Sequence, residues 1–140
     1  MKQQSVEVRG QRIAYLESPG NRPGRAVIFV HGNSSSARTW LPVLEGAFGQ
    51  RFRCLALDLP GHGQSGPAKD QADYSLPGYA AVLVDFAGAL GVADPVVVGW
   101  SLGGHIALEA AQTAGGGRLR HLRHTAGRVG RATGRRVPAQ

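Results

Sequence analysis

The pattern of apolar and polar positions divides residues 1–113 into short apolar runs that alternate with amphipathic stretches. Continuous apolar runs occupy 26–30 and 96–98, and a third segment, 53–57, is apolar after its first residue, Arg53. Because they lack period-two alternation, they are typical of parallel strands buried on both faces. Two further strands are predicted at 6–9 and 12–17, around a turn at Gly10–Gln11.

Helical spacing appears between these strands. Trp40, Leu44 and Phe48 recur every fourth position and predict a helix over 39–48. A second helix is predicted over 76–90, with Ser75 as its N-cap and Pro77 in the first turn. A third begins near Leu102. This alternation indicates βαβ units, and therefore a layered α/β domain with a mostly parallel sheet.

Most of the reactive side chains fall in the loops that follow the apolar strands, at 31–36, 58–65 and 99–103. In parallel α/β sheets, ligands bind beyond the carboxyl ends of the strands. The sequence therefore predicts one site, built from these loops.

The most informative segment is Gly99-Trp100-Ser101-Leu102-Gly103, which follows a predicted strand and opens a predicted helix. The pattern G-x-S-x-G in this context is typical of a nucleophile elbow, in which a strained turn exposes the serine hydroxyl. Glycines on either side let strand and helix approach without Cβ clashes. The helix N-terminus supplies free N–H groups that favour a developing anion. A glycine-rich turn with a capping serine is the structural alternative.

Together with two other loops, this segment resembles the α/β-hydrolase fold family. His31-Gly32-Asn33 resembles the His-Gly-x loop after the family's third strand. The segment from Asp58 to Ser65 resembles the Asp-x-x-Gly-x-Gly-x-Ser loop after the fourth. The resemblance covers about residues 5–113 and implies a partial α/β-hydrolase fold, the N-terminal half, truncated after the nucleophile helix.

The resemblance also implies roles for individual residues. Ser101 would be the nucleophile, and the backbone N–H groups of Asn33 and Leu102 would form the oxyanion hole. His31 is expected to be a packed structural residue, and Asp58 to hold its own loop through backbone N–H groups. The implied activity is that of a serine hydrolase of ester-like or related small molecules, with attack by serine, an acyl-enzyme and then water.

A base and an orienting acid are missing from this scheme. In this fold the order along the chain is serine, then acid, then histidine. After Ser101 the sequence offers only Glu109 as an acid, and His105, His121 and His124 as histidines. We expect none of these side chains to reach the Ser101 hydroxyl. His105 is expected to pack beside the site, and His62 to lie in an exposed loop. The chain is therefore expected to be weakly active or inactive, and a non-catalytic product is the alternative.

Composition supports a globular protein with no sign of a membrane span or signal peptide. Apolar residues make up 42% and charged residues 18% of the 140 positions. The single cysteine, Cys54, lies in an apolar strand and excludes an internal disulfide or a cysteine-rich metal site. We accordingly expect a cytoplasmic protein without cofactor or metal that acts on a small molecule.

The net charge of +7 belongs to one segment. Residues 1–113 carry nine basic and nine acidic side chains, whereas 114–140 carry seven arginines and no acid. We therefore divide the chain into a hydrolase half, 1–113, and a basic low-complexity tail, 114–140.

The tail is expected to be either disordered or the product of a frameshift. The frameshift hypothesis comes from back-translating 118–130 with GC-rich codons. When the reading frame is shifted by one nucleotide, the same bases can encode a strand and a turn. Nucleic-acid binding is a further alternative, but aromatic stacking positions are absent. With half a fold and an open strand edge, poor solubility is expected.

Overall fold

The computed structural model describes residue 1 and residues 3–114. Predictions for the basic tail, and for His121 and His124 within it, lie outside the described residues.

Five strands form one mixed sheet in the order β1-β2-β4-β3-β5. Pairing is antiparallel between β1 and β2 and between β2 and β4. It is parallel between β3 and each of β4 and β5. The predicted layered α/β architecture is confirmed, and its N-terminal hairpin makes the sheet mixed. The strands are β1 (Gln3–Val8), β2 (Gln11–Glu17), β3 (Val27–Val30), β4 (Cys54–Leu57) and β5 (Val96–Gly99).

The β1–β2 hairpin turns one residue earlier than predicted. Val8 pairs with Gln11, so the turn residues are Arg9 and Gly10, with φ of 51° and 78°. Two-residue hairpins favour positive φ at both central positions because their twist then matches that of the strands. Glycine marks the second turn position here, and Gln11 already belongs to β2.

The predicted helix over 39–48 is wrong as a single element. The chain forms a 3₁₀ turn (Ala37–Trp40), then α1 (Leu41–Glu45) and α2 (Ala47–Arg51). Gly46 separates the two helices with an extended backbone, at φ −85° and ψ −169°. The break rotates the second segment, so Leu44 is buried whereas the Phe48 side chain remains 43% exposed.

Two longer helices cover one face of the sheet. They are α3 (Leu76–Ala89) and α4 (Leu102–Ala114). Ser75 caps α3 as predicted, since its Oγ accepts a hydrogen bond from the Gly78 N–H at 3.1 Å. Side chains of both helices share a core with the sheet residues Ile28, Val30 and Val97; the helical members include Leu83, Phe86, Ile106 and Ala110.

The opposite face carries a smaller core. Val27, Phe29 and Ala56 pack there with Leu44 of α1 and Ala37 of the 3₁₀ turn. Cys54 is fully buried in this layer, as its apolar surroundings predict. No helix within the described part of the chain is long and apolar enough to cross a bilayer.

Because β3, β4 and β5 run parallel, their carboxyl ends meet at one edge of the sheet. The loops that begin at His31, Asp58 and Trp100 leave from that edge. The prediction that these three loops lie at one edge of the sheet is confirmed.

Candidate functional site

Ser101 occupies a sharp turn between β5 and α4. Its φ is 56°, in the left-handed region that non-glycine residues seldom adopt, and its side chain is exposed. The preceding residue still belongs to the sheet ladder, because the Trp100 N–H donates to the Val30 carbonyl at 3.1 Å. A strand therefore becomes a helix within one strained residue.

The two glycines of the motif allow this turn. A Cβ on Gly99 would collide with the Gly103 carbonyl, and a Cβ on Gly103 would collide with the Val30 carbonyl. It would also come within 2.7 Å of the His31 carbonyl oxygen. Both obstacles are backbone atoms, so no side chain could move to make room. Glycine is needed because α4 starts in direct contact with β3.

The first turn of α4 leaves backbone donors available. The Ser101 carbonyl accepts hydrogen bonds from the Gly104 N–H at 2.9 Å and from the His105 N–H at 3.3 Å. In contrast, the Leu102 N–H donates to no acceptor within residues 3–114, nor does the Asn33 N–H in the loop after β3. Asn33 lies in the loop after β3 and Leu102 is the first residue of α4, at the same edge of the sheet. They are thus able to donate to a bound anion or carbonyl oxygen.

His31 is a buried connector between two loops. Its Nδ1 lies 2.7 Å from the Gly32 carbonyl oxygen, and its Nε2 accepts a hydrogen bond from the Leu59 N–H at 3.1 Å. These partners place the single ring proton on Nδ1. Burial lowers the pKa of His31 from its ordinary 6.5, so the ring is neutral at neutral pH. This agrees with the structural role expected for His31.

Asp58 ties three segments together. One carboxylate oxygen accepts from the Ala37 N–H at 2.7 Å and the other from the Gln64 N–H at 2.8 Å. Ser65 Oγ donates to the Asp58 carbonyl at 2.7 Å and accepts from the Ala14 N–H at 2.9 Å. The expectation that Asp58 holds its own loop is confirmed, and the carboxylate also anchors the 3₁₀ turn after β3.

Two other histidines differ from their predictions. His62 is half-buried rather than exposed, because its ring packs 5.2 Å from the His31 ring, centroid to centroid, and its Nδ1 lies 3.0 Å from the Pro60 carbonyl oxygen. His105 is exposed on α4 rather than packed beside the site. It follows Ser101 by about one helical turn.

Sequence reasoning missed an aromatic cleft at this edge. Thr39, Trp40 and Trp100 line a cleft of about 250 Å³. The Trp100 ring lies over Gly32, where an added Cβ would come within 2.8 Å of a ring carbon. Trp100 occupies a position of the G-x-S-x-G motif at which any residue is allowed. Trp40 is assigned to the apolar face of the predicted helix over 39–48. Neither residue therefore carried a sequence signal for a site.

Within residues 3–114, no group of three or more potential metal ligands comes together. The side chains that follow Ser101 in this range include His105 and Glu109, both on α4 itself.

Comparison with known proteins finds one matching family model and several similar proteins. A family model described as alpha/beta hydrolase fold matches residues 25–127. A Mycobacterium tuberculosis protein is 40% identical over 88 residues, which is 63% of this chain and 25% of that protein. The N-formylmaleamate deformylase of Pseudomonas putida is 37% identical over 107 residues, which is 76% of this chain and 38% of the deformylase.

Solved structures agree with this grouping. The N-acyl homoserine lactonase AidH, complexed with N-butanoyl homoserine, superposes with a TM-score of 0.80 at 42% identity. The match covers 89% of this chain and 44% of the lactonase. The chain thus spans less than half the length of each of these relatives. From the family match, the sheet and the elbow, we conclude that the chain belongs to the alpha/beta hydrolase fold family.

Proposed function

We propose that this chain carries the nucleophile and oxyanion hole of a serine hydrolase that acts on ester-like or related small molecules. Ser101 would attack the carbonyl carbon of the substrate and form an acyl-enzyme that water then hydrolyses. The observation that carries the proposal is the positive φ of Ser101, combined with its exposure at the start of α4.

The N–H groups of Asn33 and Leu102, which have no acceptor within residues 3–114, support an oxyanion hole. Negative charge develops on the substrate oxygen during attack, and fixed donors stabilise that charge without reorganisation. The α4 dipole adds positive potential at the same end. Among relatives, the solved lactonase and the deformylase have names that describe hydrolysis at carbonyl-containing groups. An ester, lactone or amide is therefore the substrate class that we propose.

Deprotonation of Ser101 needs a base, and we propose that the titratable side chains within residues 3–114 do not supply it. His31 cannot serve because both of its ring nitrogens are committed to loop contacts. Glu109 and His105 lie on the same helix as the nucleophile's turn. We therefore propose that this chain alone turns over slowly or not at all. A non-catalytic role is the competing hypothesis, favoured by the same shortage of a base.

A fluorophosphonate probe tests the nucleophile directly. We expect slow, selective phosphonylation of Ser101 in the full chain, detected by peptide mass spectrometry, because the oxyanion hole stabilises attack even without a base. Ser101→Ala should abolish the modification. Ser36→Ala is the matched control, since Ser36 lies in the neighbouring loop at the same edge, and it should leave Ser101 modification unchanged. Equal modification of all exposed serines would reject the proposal.

A further inference from the structure

Trp100 joins the turn at Ser101 to the loop that follows β3. Its N–H donates to the Val30 carbonyl at 3.1 Å, and its own carbonyl accepts from the Gly103 N–H at 2.9 Å. The Trp100 backbone is therefore fixed on one side to β3 and on the other to the first turn of α4. A side chain carried by this backbone has a defined position relative to both loops.

The indole ring of Trp100 packs against Gly32. A Cβ on Gly32 would lie 2.8 Å from Cε3 and 3.0 Å from Cζ3 of the ring, and the third nearest atom is the Trp100 carbonyl oxygen at 3.3 Å. Gly32 is buried although it has no side chain, whereas Trp100 is itself 42% exposed. The ring thus covers the backbone of the loop at this one position.

The Gly32 carbonyl and the Asn33 N–H belong to the same peptide group. That group is planar and trans, so its carbonyl and its N–H point in opposite directions. The carbonyl accepts hydrogen bonds from His31 Nδ1 at 2.7 Å and from the Ser35 N–H at 3.3 Å. Whatever fixes the plane of this peptide group therefore also fixes the direction of the Asn33 N–H.

The loop holds this direction next to a strained residue. Ser34 has a φ of 59°, and a non-glycine residue keeps such a conformation only when its surroundings hold it there. The two hydrogen bonds to the Gly32 carbonyl come from residues 31 and 35 of the same segment, so they can move with it. The Trp100 ring comes from the turn after β5 and supports the loop from outside.

We infer that Trp100 is a positioning residue whose ring, packed on Gly32, holds the Gly32–Asn33 peptide group so that the Asn33 N–H donates to the substrate oxygen. The inference rests on the proposed function, in which that N–H belongs to the oxyanion hole. The ring acts through the peptide group and not on the substrate. Binding of substrate by Trp100 in the cleft that it lines with Thr39 and Trp40 is the competing role.

The orientation of the N–H can be measured without any chemistry at Ser101. Relaxation of ¹⁵N nuclei in the full 140-residue chain gives an order parameter for the Asn33 amide, which we expect to be about 0.85, as in a rigid backbone. In Trp100→Ala it should fall below about 0.6, the range of flexible segments. An unchanged order parameter in Trp100→Ala would overturn the inference.

Phe48→Ala is the matched control for the loss of an exposed aromatic ring. Phe48 is 43% exposed, nearly the same as Trp100, but it lies on α2. The control should leave the Asn33 order parameter unchanged. Urea unfolding of both variants checks that each is folded under the conditions of the measurement, and equal loss of order in both would reject a specific role for Trp100.

The kinetics of fluorophosphonate labelling separate positioning from substrate binding. We expect Trp100→Ala to lower the maximal rate constant for labelling Ser101 about tenfold, less than the 10²–10³-fold cost of losing a whole oxyanion donor. The half-saturating probe concentration should stay the same. Trp100→Phe keeps a ring on this backbone and should recover most of the rate. A higher half-saturating concentration with an unchanged maximal rate would assign the ring to the cleft and overturn the inference.

A compensating substitution tests the contact itself. Gly32→Ala brings a methyl group against the Trp100 ring and should slow labelling, since the ring or the peptide group must then shift. The double variant Gly32→Ala/Trp100→Ala lacks this collision and should label no more slowly than Trp100→Ala alone. Residues in contact show such non-additive effects, whereas independent sites add. Additive losses in the logarithm of the rate would contradict the contact.

The two measurements together distinguish failure of this inference from failure of the proposed function. A native chain in which Ser101 is never labelled rejects the serine nucleophile, and the Asn33 order parameter then decides alone whether Trp100 holds the peptide group. Selective labelling of Ser101 at an equal rate in the native chain and in Trp100→Ala supports the nucleophile and rejects the positioning role.

Discussion

At the scale of single residues, the site depends on backbone contacts that side chains cannot replace. Gly103 lets α4 start against the β3 carbonyls, and Ser101 takes the left-handed conformation that this contact imposes. His31 contributes differently, since it gives two loops a shared hydrogen-bond partner in a buried position. Each of these residues can be tested by a substitution with a matched control.

Gly103→Ala should destabilise the fold. The added methyl group would meet the Val30 and His31 carbonyls, and forced overpacking of this kind costs about 1–3 kcal/mol of the free energy of unfolding. The control is Gly66→Ala, because a Cβ there has its nearest neighbour at 3.7 Å and the backbone φ is ordinary. Urea unfolding of both variants measures the difference, and similar midpoints would contradict the close approach.

His31 should make stability fall at mildly acidic pH. Its pKa is lowered in the folded chain, chiefly by burial, and the neighbouring His62 adds to this while Asp58 and the Gly32 carbonyl oppose it. Between that lowered pKa and 6.5, the unfolded chain binds more protons than the folded chain. The stabilisation is therefore complete above pH 6.5 and is lost as the pH falls through this window.

The measurement is urea unfolding at a series of pH values from 7.5 downwards. His31→Gln should reduce the pH dependence because it removes the buried titrating ring. His105→Gln should retain it, since His105 is exposed. A slope that survives in His31→Gln would assign the pH dependence to another group.

At the scale of elements, polar contacts hold the loops after β3 and β4 in register. Asp58 receives N–H groups from the 3₁₀ turn after β3 and from its own loop. His31 receives the N–H of Leu59 at the start of that same loop. The loops after β3 and β4 therefore act as one unit, and this unit presents Asn33 at the sheet edge next to the elbow.

Asp58→Asn should loosen this unit. An amide can offer only one oxygen, so one of the two backbone N–H groups would face an NH₂ group instead of an acceptor. An unsatisfied buried donor costs about 1–3 kcal/mol. Asp70→Asn is the control, because the exposed Asp70 caps a 3₁₀ turn and asparagine caps equally well. Unfolding midpoints and hydrogen exchange of residues 37 and 64 measure both changes.

At the scale of the whole molecule, the two faces of the sheet are unequally covered by residues 3–114. The face under α3 and α4 carries the larger core, and the other face leaves an apolar groove beside β5, lined by Phe48, Val96 and Val98, partly open. An edge strand next to apolar surface is a site for non-specific pairing. Arrangement of the strands, rather than any single residue, creates this surface.

We expect the isolated chain to self-associate as its concentration rises. Val96→Lys, which places a charge on the half-buried β5 edge, should lower the average mass measured by light scattering. Leu108→Lys introduces the same charge on α4 and should have little effect. Equal masses for the native chain and Val96→Lys would place the association elsewhere.

The amino-acid sequence by itself determined the type and order of the elements. Apolar runs marked β3, β4 and β5 because buried parallel strands need no polar face, and the G-x-S-x-G spacing marked the turn at Ser101 because only glycines fit its flanks. The helix break at Gly46 escaped prediction, since the apolar spacing continued across it. The hairpin turn lies one residue earlier than predicted because glycine can take either turn position.

Only the tertiary structure decided which residues meet. The hydrogen bond between His31 and Leu59, the contacts of Asp58 and the packing of the His62 ring against His31 join segments distant along the chain. Local periodicity carries no information on such contacts, because they depend on strand order and on which face each helix covers. The open groove beside β5 has the same origin, since exposure is a property of neighbours in space rather than of neighbours in sequence.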